Sequence, residues 1–404
     1  MVNTKKIIFC HSLFRAGSTY FFKLLSDKND HFVIEEPLNE IVIRSNGDVE
    51  KLNEKISKNE LRHDFHHSYF ENYEKIPKNF FGLVKEDFIY KSFFNQSINH
   101  KSYNFLKKIV DLTKSRIFIS ETRLACRLKP LSRVFKDNIY QISLLRNPRD
   151  QWWSYNVNTF FNLTNIQIIQ GNNIPLTLKE IIKKNKLKKN LKTLDELYDF
   201  FRLNPVSVDI SYEIFFTIWC YCFNNWKENS NLIIDTYDLT ISNKIIRKYE
   251  GILKKNDIYV DFSKFNIPIY NFNPNERVFF QKIESSVIER LVKNNEIKFI
   301  KEIKKYLLKC SKSVLTINSN ESSARQNYIQ LHKEYRNVTQ ILNKDRQILN
   351  KDRDLLRKQL SKQNEELSKD IVKLQNHCND LKKIIFSTRF FRILKTLKII
   401  KKLN

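Results

Sequence analysis

No two cysteines in this chain are spaced as CxxC. The six (Cys10, Cys126, Cys220, Cys222, Cys310 and Cys378) follow no regular interval and sit mostly inside apolar runs. That spacing excludes a zinc ribbon or a dithiol redox motif, and buried, reduced thiols are expected. Cys220 and Cys222, two apart on a helical pattern, point to different sides and share neither a metal nor a disulfide. No stretch of about 18 apolar residues occurs, so no membrane-spanning helix is expected. The opening MVNTKKIIFCHS has four apolar residues before polar ones resume, too few for the apolar core of a secretory signal. A protein in the cytosol, or on the cytosolic face of a membrane, is the expectation. Acidic residues are outnumbered as well, 44 against 71 basic ones, for a net charge of +27. The excess permits an anionic partner. The basic residues are dispersed and accompany no recognition motif, which counts against nucleic acid as the main one.

What is present is apolar bulk: 41% of the 404 residues are hydrophobic and 13% aromatic. That is enough to bury an interior, and it excludes disorder throughout. The length suits a core domain of about two to three hundred residues with an appendage. Residues 1–310 alternate short apolar runs with helical patterns, the texture of an α/β domain. Lys6 to Cys10, Arg116 to Ser120, Tyr140 to Leu145 and Leu232 to Asp235 read as buried parallel strands. Gly17 to Leu25 and Tyr212 to Trp226 read as helices, the second a core helix, and Trp152 and Trp153 as packing residues.

Beyond Asn320 proline and glycine are absent, and ILNKDRQ ILNKDRD LLRKQLS repeats every seven residues. Residues 320–384 are expected to form an α-helical coiled coil, through which the protein would form a homodimer. Tyr328, Tyr335, Leu342, Leu349 and Leu356 make one seven-residue series, and Leu360, Leu367, Leu374 and Leu381 a second, joined by a step of four. Asp345, Asp352, Gln363 and His377 are polar positions in the seam. Residues 385–404 form a basic amphipathic tail. Phe386, Phe390, Ile393, Leu394, Leu397 and Ile400 share one helical face, and Arg389, Arg392, Lys395, Lys398, Lys401 and Lys402 give it positive charge without an acidic residue. Such a helix lies on an anionic membrane surface or docks on protein.

The strongest chemical signal is KIIFCHSLFRAGSTYFFKLL, a strand running through Arg15, Ala16, Gly17, Ser18 and Thr19 into a helix. Loop N–H groups and the free donors at the helix start converge there, and Gly17 admits an anion to the backbone. The leading glycine and the lysine of a Walker A loop are missing, which counts against a nucleoside-triphosphate reaction. A second strand, YQISLL, ends at Arg146, followed eight residues later by Ser154 at the start of a helical pattern; a guanidinium fork and a hydroxyl suit phosphate. In EEPLNE, Glu36 lies 21 residues after Arg15, and Pro37 is expected to keep it extended at a strand end. A positioned carboxylate can take a proton from an attacking hydroxyl; Glu35 is the next candidate and Glu121, in SETR, the third. His63, His66 and His67 lack companions at zinc spacing, so no metal site is expected.

These residues resemble the sulfotransferases that use 3′-phosphoadenosine 5′-phosphosulfate (PAPS). The resemblance implies that Arg15, Ala16, Gly17, Ser18 and Thr19 form the 5′-phosphosulfate loop, that Arg146 and Ser154 bind the 3′-phosphate, that Glu36 is the general base, and that Tyr20 either stacks on adenine or belongs to the core. It further implies a P-loop-like parallel sheet flanked by helices, PAPS as co-substrate without a metal, and transfer of a sulfuryl group to a hydroxyl or amine of a carbohydrate or glycolipid. Ala16 departs from the usual serine, and the RKGxxGxWK element of the cytosolic small-molecule branch is absent. The resemblance therefore points to the bacterial, carbohydrate or tyrosyl-protein branch; it covers residues 5 to 40 and 116 to 160, loosens towards 300 and does not extend beyond. Two other classes stay open: a P-loop nucleoside or sugar kinase, and a basic coiled-coil binding protein without catalysis.

Overall fold

Alternate residues along the strands side with two different cores, as a sheet covered on both faces requires. The computed structural model describes residues 6–26, 31–51, 71–98, 100–156, 159–171, 173–188, 193–311, 319–387 and 389–396. Five strands among these form one all-parallel sheet, β1 (Ile7–Ser12), β2 (Phe32–Glu35), β3 (Ile117–Glu121), β4 (Ile139–Leu145) and β5 (Leu232–Asp235), in the order β2-β3-β1-β4-β5. Cys10 is opposite Ser120 on one side and Ile142 on the other. Four of these strands coincide with the apolar runs to within one or two residues at each end. β2 was not among the strands read from the sequence, although Glu36 was placed at a strand end; it is four residues long, at the sheet edge and half-buried at its start.

The helices that matter here are α1 (Ser18–Ser26), α2 (Glu40–Arg44), α3 (Pro148–Asn156), α4 (Val208–Asn229), α5 (Pro274–Lys293), α6 (Ile300–Ser311), α7 (Ser319–Ser387) and α8 (Arg389–Thr396). Ile7, Phe9, Ile117 and Ile119 face the larger core, where α4 contributes Phe215, Trp219, Phe223 and Trp226. That helix is apolar nearly all round because it is buried nearly all round. Ile8, Cys10, Phe118, Ile142 and Leu144 face the other core, closed by Phe21, Leu24 and Leu25 of α1 and by Phe262, Phe265 and Ile267. A buried fork ties α3 to α5: Arg149 Nε and Nη2 donate to Glu284 Oε1 and Oε2 at 2.8 and 2.7 Å, and the Tyr212 hydroxyl joins Oε1 at 2.7 Å. Trp152, with no exposed surface, packs edge-on against Tyr212 and Phe280, the structural role expected of it.

The strand order has a switch of direction at β1. From β1 the chain builds β2 and β3 on one side, then crosses to build β4 and β5 on the other. The connections therefore diverge beside β1, the point at which open parallel sheets bind ligands at the carboxyl ends of their strands.

The chain divides into two compact units between Glu334 and Tyr335, inside α7. This 69-residue helix runs to Ser387, three residues past the expected limit of 384. Tyr335, Leu342, Leu349, Leu356, Leu360, Leu367, Leu374 and Leu381 are all exposed, from 45% to 67%. Five cysteines are buried and Cys378 is exposed. In α8 Ile393 is exposed; Leu397, Lys398, Ile400, Lys401 and Lys402 lie outside the described residues. No described helix is long and apolar enough to cross a membrane.

Candidate functional site

The segment after β1 turns through two left-handed residues, Arg15 (φ 65°) and Gly17 (φ 96°), before α1 begins at Ser18. At Gly17 a side chain is disfavoured twice: by the φ, and because a Cβ would crowd Phe265 Cζ at 3.1 Å and Ile267 Cγ2 at 3.2 Å. Gln151 of α3 pins the loop by donating to the carbonyls of Leu13 (3.2 Å) and Phe14 (2.8 Å). Ala16 and Ser18 are buried, whereas Thr19 and Tyr20 are half-buried; the Tyr20 ring meets Phe265 edge-on at 6.0 Å. The first N–H groups of α1 lack intrahelical acceptors, as at any helix start, and the dipole adds positive potential there.

The two distant segments meet at this loop. Arg15 Nε donates to Ser154 Oγ at 3.1 Å, and Arg146 Nη1 donates to the Arg15 carbonyl at 2.6 Å. Ser154 lies in the last turn of α3, not at a helix start, because Pro148 already opens the helix. Arg146 also differs from expectation. Its second Nη donates to the Pro268 carbonyl at 2.6 Å, so the fork is spent on backbone, while its buried Nε meets no acceptor among the described residues. Burial lowers the Arg146 pKa, and Asp150 opposes that; Asp150 is itself pushed up to about 6 by burial, against the pull of Arg146.

A second cluster stands at the ends of β2 and β3. Glu36 is left-handed (φ 49°) rather than extended. The chain leaves the sheet after Glu35 and folds back at once, so that the Leu38 N–H reaches Glu121 Oε2 at 2.7 Å and the Asn39 N–H reaches the Glu36 carbonyl at 2.9 Å. Those bonds outweigh the preference imposed by Pro37. Glu36 Oε2 accepts from Asn39 Nδ2 (2.9 Å) and Arg123 Nη1 (3.1 Å), and Oε1 from the Thr122 hydroxyl (3.2 Å). Arg123 Nη2 donates to Glu40 Oε2 at 2.8 Å, which also accepts from the Tyr90 hydroxyl at 2.8 Å. Glu121 is 3.5 Å from the same guanidinium. Burial raises the Glu121 pKa; Glu36 adds to the rise, and Arg123 opposes it. Glu35 and Glu121 are both buried, 1% and 0% exposed; burial pushes the Cys10 thiol up, and Glu35 adds to the rise.

Phe14 joins the two clusters, its ring 5.2 Å from the Arg123 guanidinium. Arg15, Gly17, Ser18, Arg146 and Ser154 thus belong to one hydrogen-bonded or contiguous set, with Glu36 and Glu121 in the neighbouring one. Arg123, Glu40 and Asn39 escaped the sequence reading, although SETR and EEPLNE contain them; nothing in a linear pattern says that one arginine will serve three carboxylates. Among the described residues no group of three His, Cys, Asp or Glu side chains is placed to hold a metal ion; His63, His66 and His67 lie outside them. Compared with known proteins, the chain matches no family model and no curated protein.

Proposed function

We propose that this chain is a PAPS-dependent sulfotransferase acting on a hydroxyl or amine of a carbohydrate or glycolipid acceptor. The observation that carries the reading is the hydrogen-bonded joining of Arg15, Arg146 and Ser154, which are up to 139 positions apart in sequence, beside a carboxylate held by three donors. The donor set fits the co-substrate: backbone N–H groups at a left-handed loop and helix start, two guanidinium groups and a hydroxyl suit two phosphate groups. PAPS supplies the sulfuryl group; a bond forms from the acceptor oxygen or nitrogen to sulfur as the bond from sulfur to the 5′-phosphate oxygen breaks, leaving adenosine 3′,5′-bisphosphate.

Glu36 takes the acceptor proton. Its Oε2 already serves two donors and Oε1 only Thr122, so Oε1 has the lone pair to spare. Arg15 and the amides from Gly17 onward orient the phosphosulfate and offset charge gathering on the departing phosphate. Arg146 and Ser154 hold the 3′-phosphate; for this Arg146 exchanges a carbonyl contact for a charge-assisted one, which is the stronger. The P-loop-like character of the sheet, a coiled coil in α7, a cytosolic setting and membrane contact through the tail are parts of the same proposal.

A thermal-shift titration with adenosine 3′,5′-bisphosphate against ATP with magnesium tests it. Saturation at about 100 times the dissociation constant should stabilise the fold by about 2.7 kcal/mol. Equal or greater stabilisation by ATP, with magnesium-dependent turnover, would replace this reading with the kinase.

A further inference from the structure

The exposed leucines of α7 have a symmetry that a helix facing only water does not need. Leu342 to Leu360, Leu349 to Leu367 and Leu356 to Leu374 are each 18 residues apart, five turns at about 3.6 residues per turn. A strict seven-residue series drifts round a straight helix by about 20° per repeat. The step of four between Leu356 and Leu360 cancels that drift and leaves all six side chains in one straight stripe, roughly 48 Å long at about 1.5 Å per residue. The spacing also reads the same in both directions from Lys358, which lies midway between Leu356 and Leu360, on the opposite side of the helix.

We infer that α7 pairs with the same helix of a second copy of this chain, antiparallel, with the two-fold axis at Lys358. Across such an axis residue i of one copy meets residue j of the other and j meets i, so a stripe with the same spacing in both directions sets leucine on leucine along its whole length. The pairing sets Leu356 against Leu360, Leu349 against Leu367 and Leu342 against Leu374 of the other copy. Asp345 and Asp352 decide the direction. In a parallel, in-register pair each would oppose its own copy in the seam, a like-charge contact; the antiparallel pair brings Asp345 level with Ile371 and Asp352 level with Asn364. The area is sufficient. Eight seam side chains, 45% to 67% exposed, offer on the order of 800 Å² per copy, the size of a stable interface.

Cys378 is an exposed natural probe, whereas the other five cysteines are buried. In the antiparallel pair the two Cys378 thiols stand roughly 60 Å apart along the rod, and each lies level with Val338 of the other copy. The full chain should sediment as a dimer, and Leu349→Asp combined with Leu367→Asp should give a monomer. A short bis-maleimide should link two chains of the Val338→Cys variant, but neither the native chain nor the Val338→Cys, Cys378→Ser double variant. Linking of the native chain through Cys378, or of the double variant, would establish a parallel pair and overturn the inference. A native chain that sediments as a monomer or a higher oligomer overturns it too, as does a dimer in which Val338→Cys does not link.

Discussion

Leu38, beside the candidate base, has no exposed surface, whereas Leu349 in α7 is 67% exposed. The same side chain is consumed by its own chain in one region and left over in the other. Between Ile7 and Ser311 each sheet face finds helices from the same chain, and even Arg123, Arg149 and Glu284 are buried with partners. In α7 the eight seam side chains, Tyr335 to Leu381, stay 45% to 67% exposed. Burial inside a fold is independent of concentration, while burial between copies is not. The first region therefore keeps its charged side chains buried with partners at any protein concentration, and the second leaves its leucines exposed.

The comparison breaks most visibly in turnover. Glu36→Gln should lower release of adenosine 3′,5′-bisphosphate from PAPS, assayed over a panel of carbohydrate acceptors, by about 10² to 10⁴ with nucleotide binding retained; Leu349→Asp should leave turnover per chain unchanged. Survival of turnover in the first variant, with loss in Glu121→Gln, would transfer the base to β3.

Acid separates the regions next. His11 is fully buried, its Nε2 facing Gln141 Oε1 at 3.0 Å, and burial pushes its pKa down to about 3. Unfolded, it titrates near about 6.5. A depressed folded pKa means that the neutral ring is favoured by folding, so this contribution is fully present above pH 6.5 and is lost as pH falls towards 3, at about 1.4 kcal/mol per unit. The melting temperature of the α/β region should fall through that window, and less so in His11→Gln. Equal slopes for the two proteins would place the acid sensitivity elsewhere.

A pair of truncations tests the packing itself. Leu38→Ala should cost about 2 to 5 kcal/mol at any protein concentration. Leu349→Ala should cost little in dilute solution and more as concentration rises; a constant cost would mean that the leucine is buried within its own chain.

The smallest effect concerns Arg146. Arg146→Ala should weaken PAPS relative to adenosine 5′-phosphosulfate by about 1.5 to 3 kcal/mol. If both ligands weaken equally in calorimetric titration, the guanidinium holds the Arg15 and Pro268 carbonyls and no phosphate.

Local pattern determined a good deal. Apolar runs of four to six residues declared β1, β3, β4 and β5 because parallel strands are buried on both faces. The seven-residue repeat declared α7, because helix geometry brings residues seven apart to one side whatever surrounds them. The turn at Arg15 and Gly17 between β1 and α1 was legible for a similar reason: a strand end, a turn and a helix start are contiguous in sequence. Tertiary structure alone decided the rest. It ended β2 in a left-handed turn at Glu36, gave both Nη atoms of Arg146 to backbone carbonyls, and placed Arg123 between Glu36, Glu40 and Glu121. Arg146 to the Arg15 and Pro268 carbonyls, Leu38 to Glu121 and Arg123 to Glu36 and Glu40 are contacts over many residues, set by which strand ends the parallel sheet brings side by side, and a hydrogen bond across that distance has no period to read.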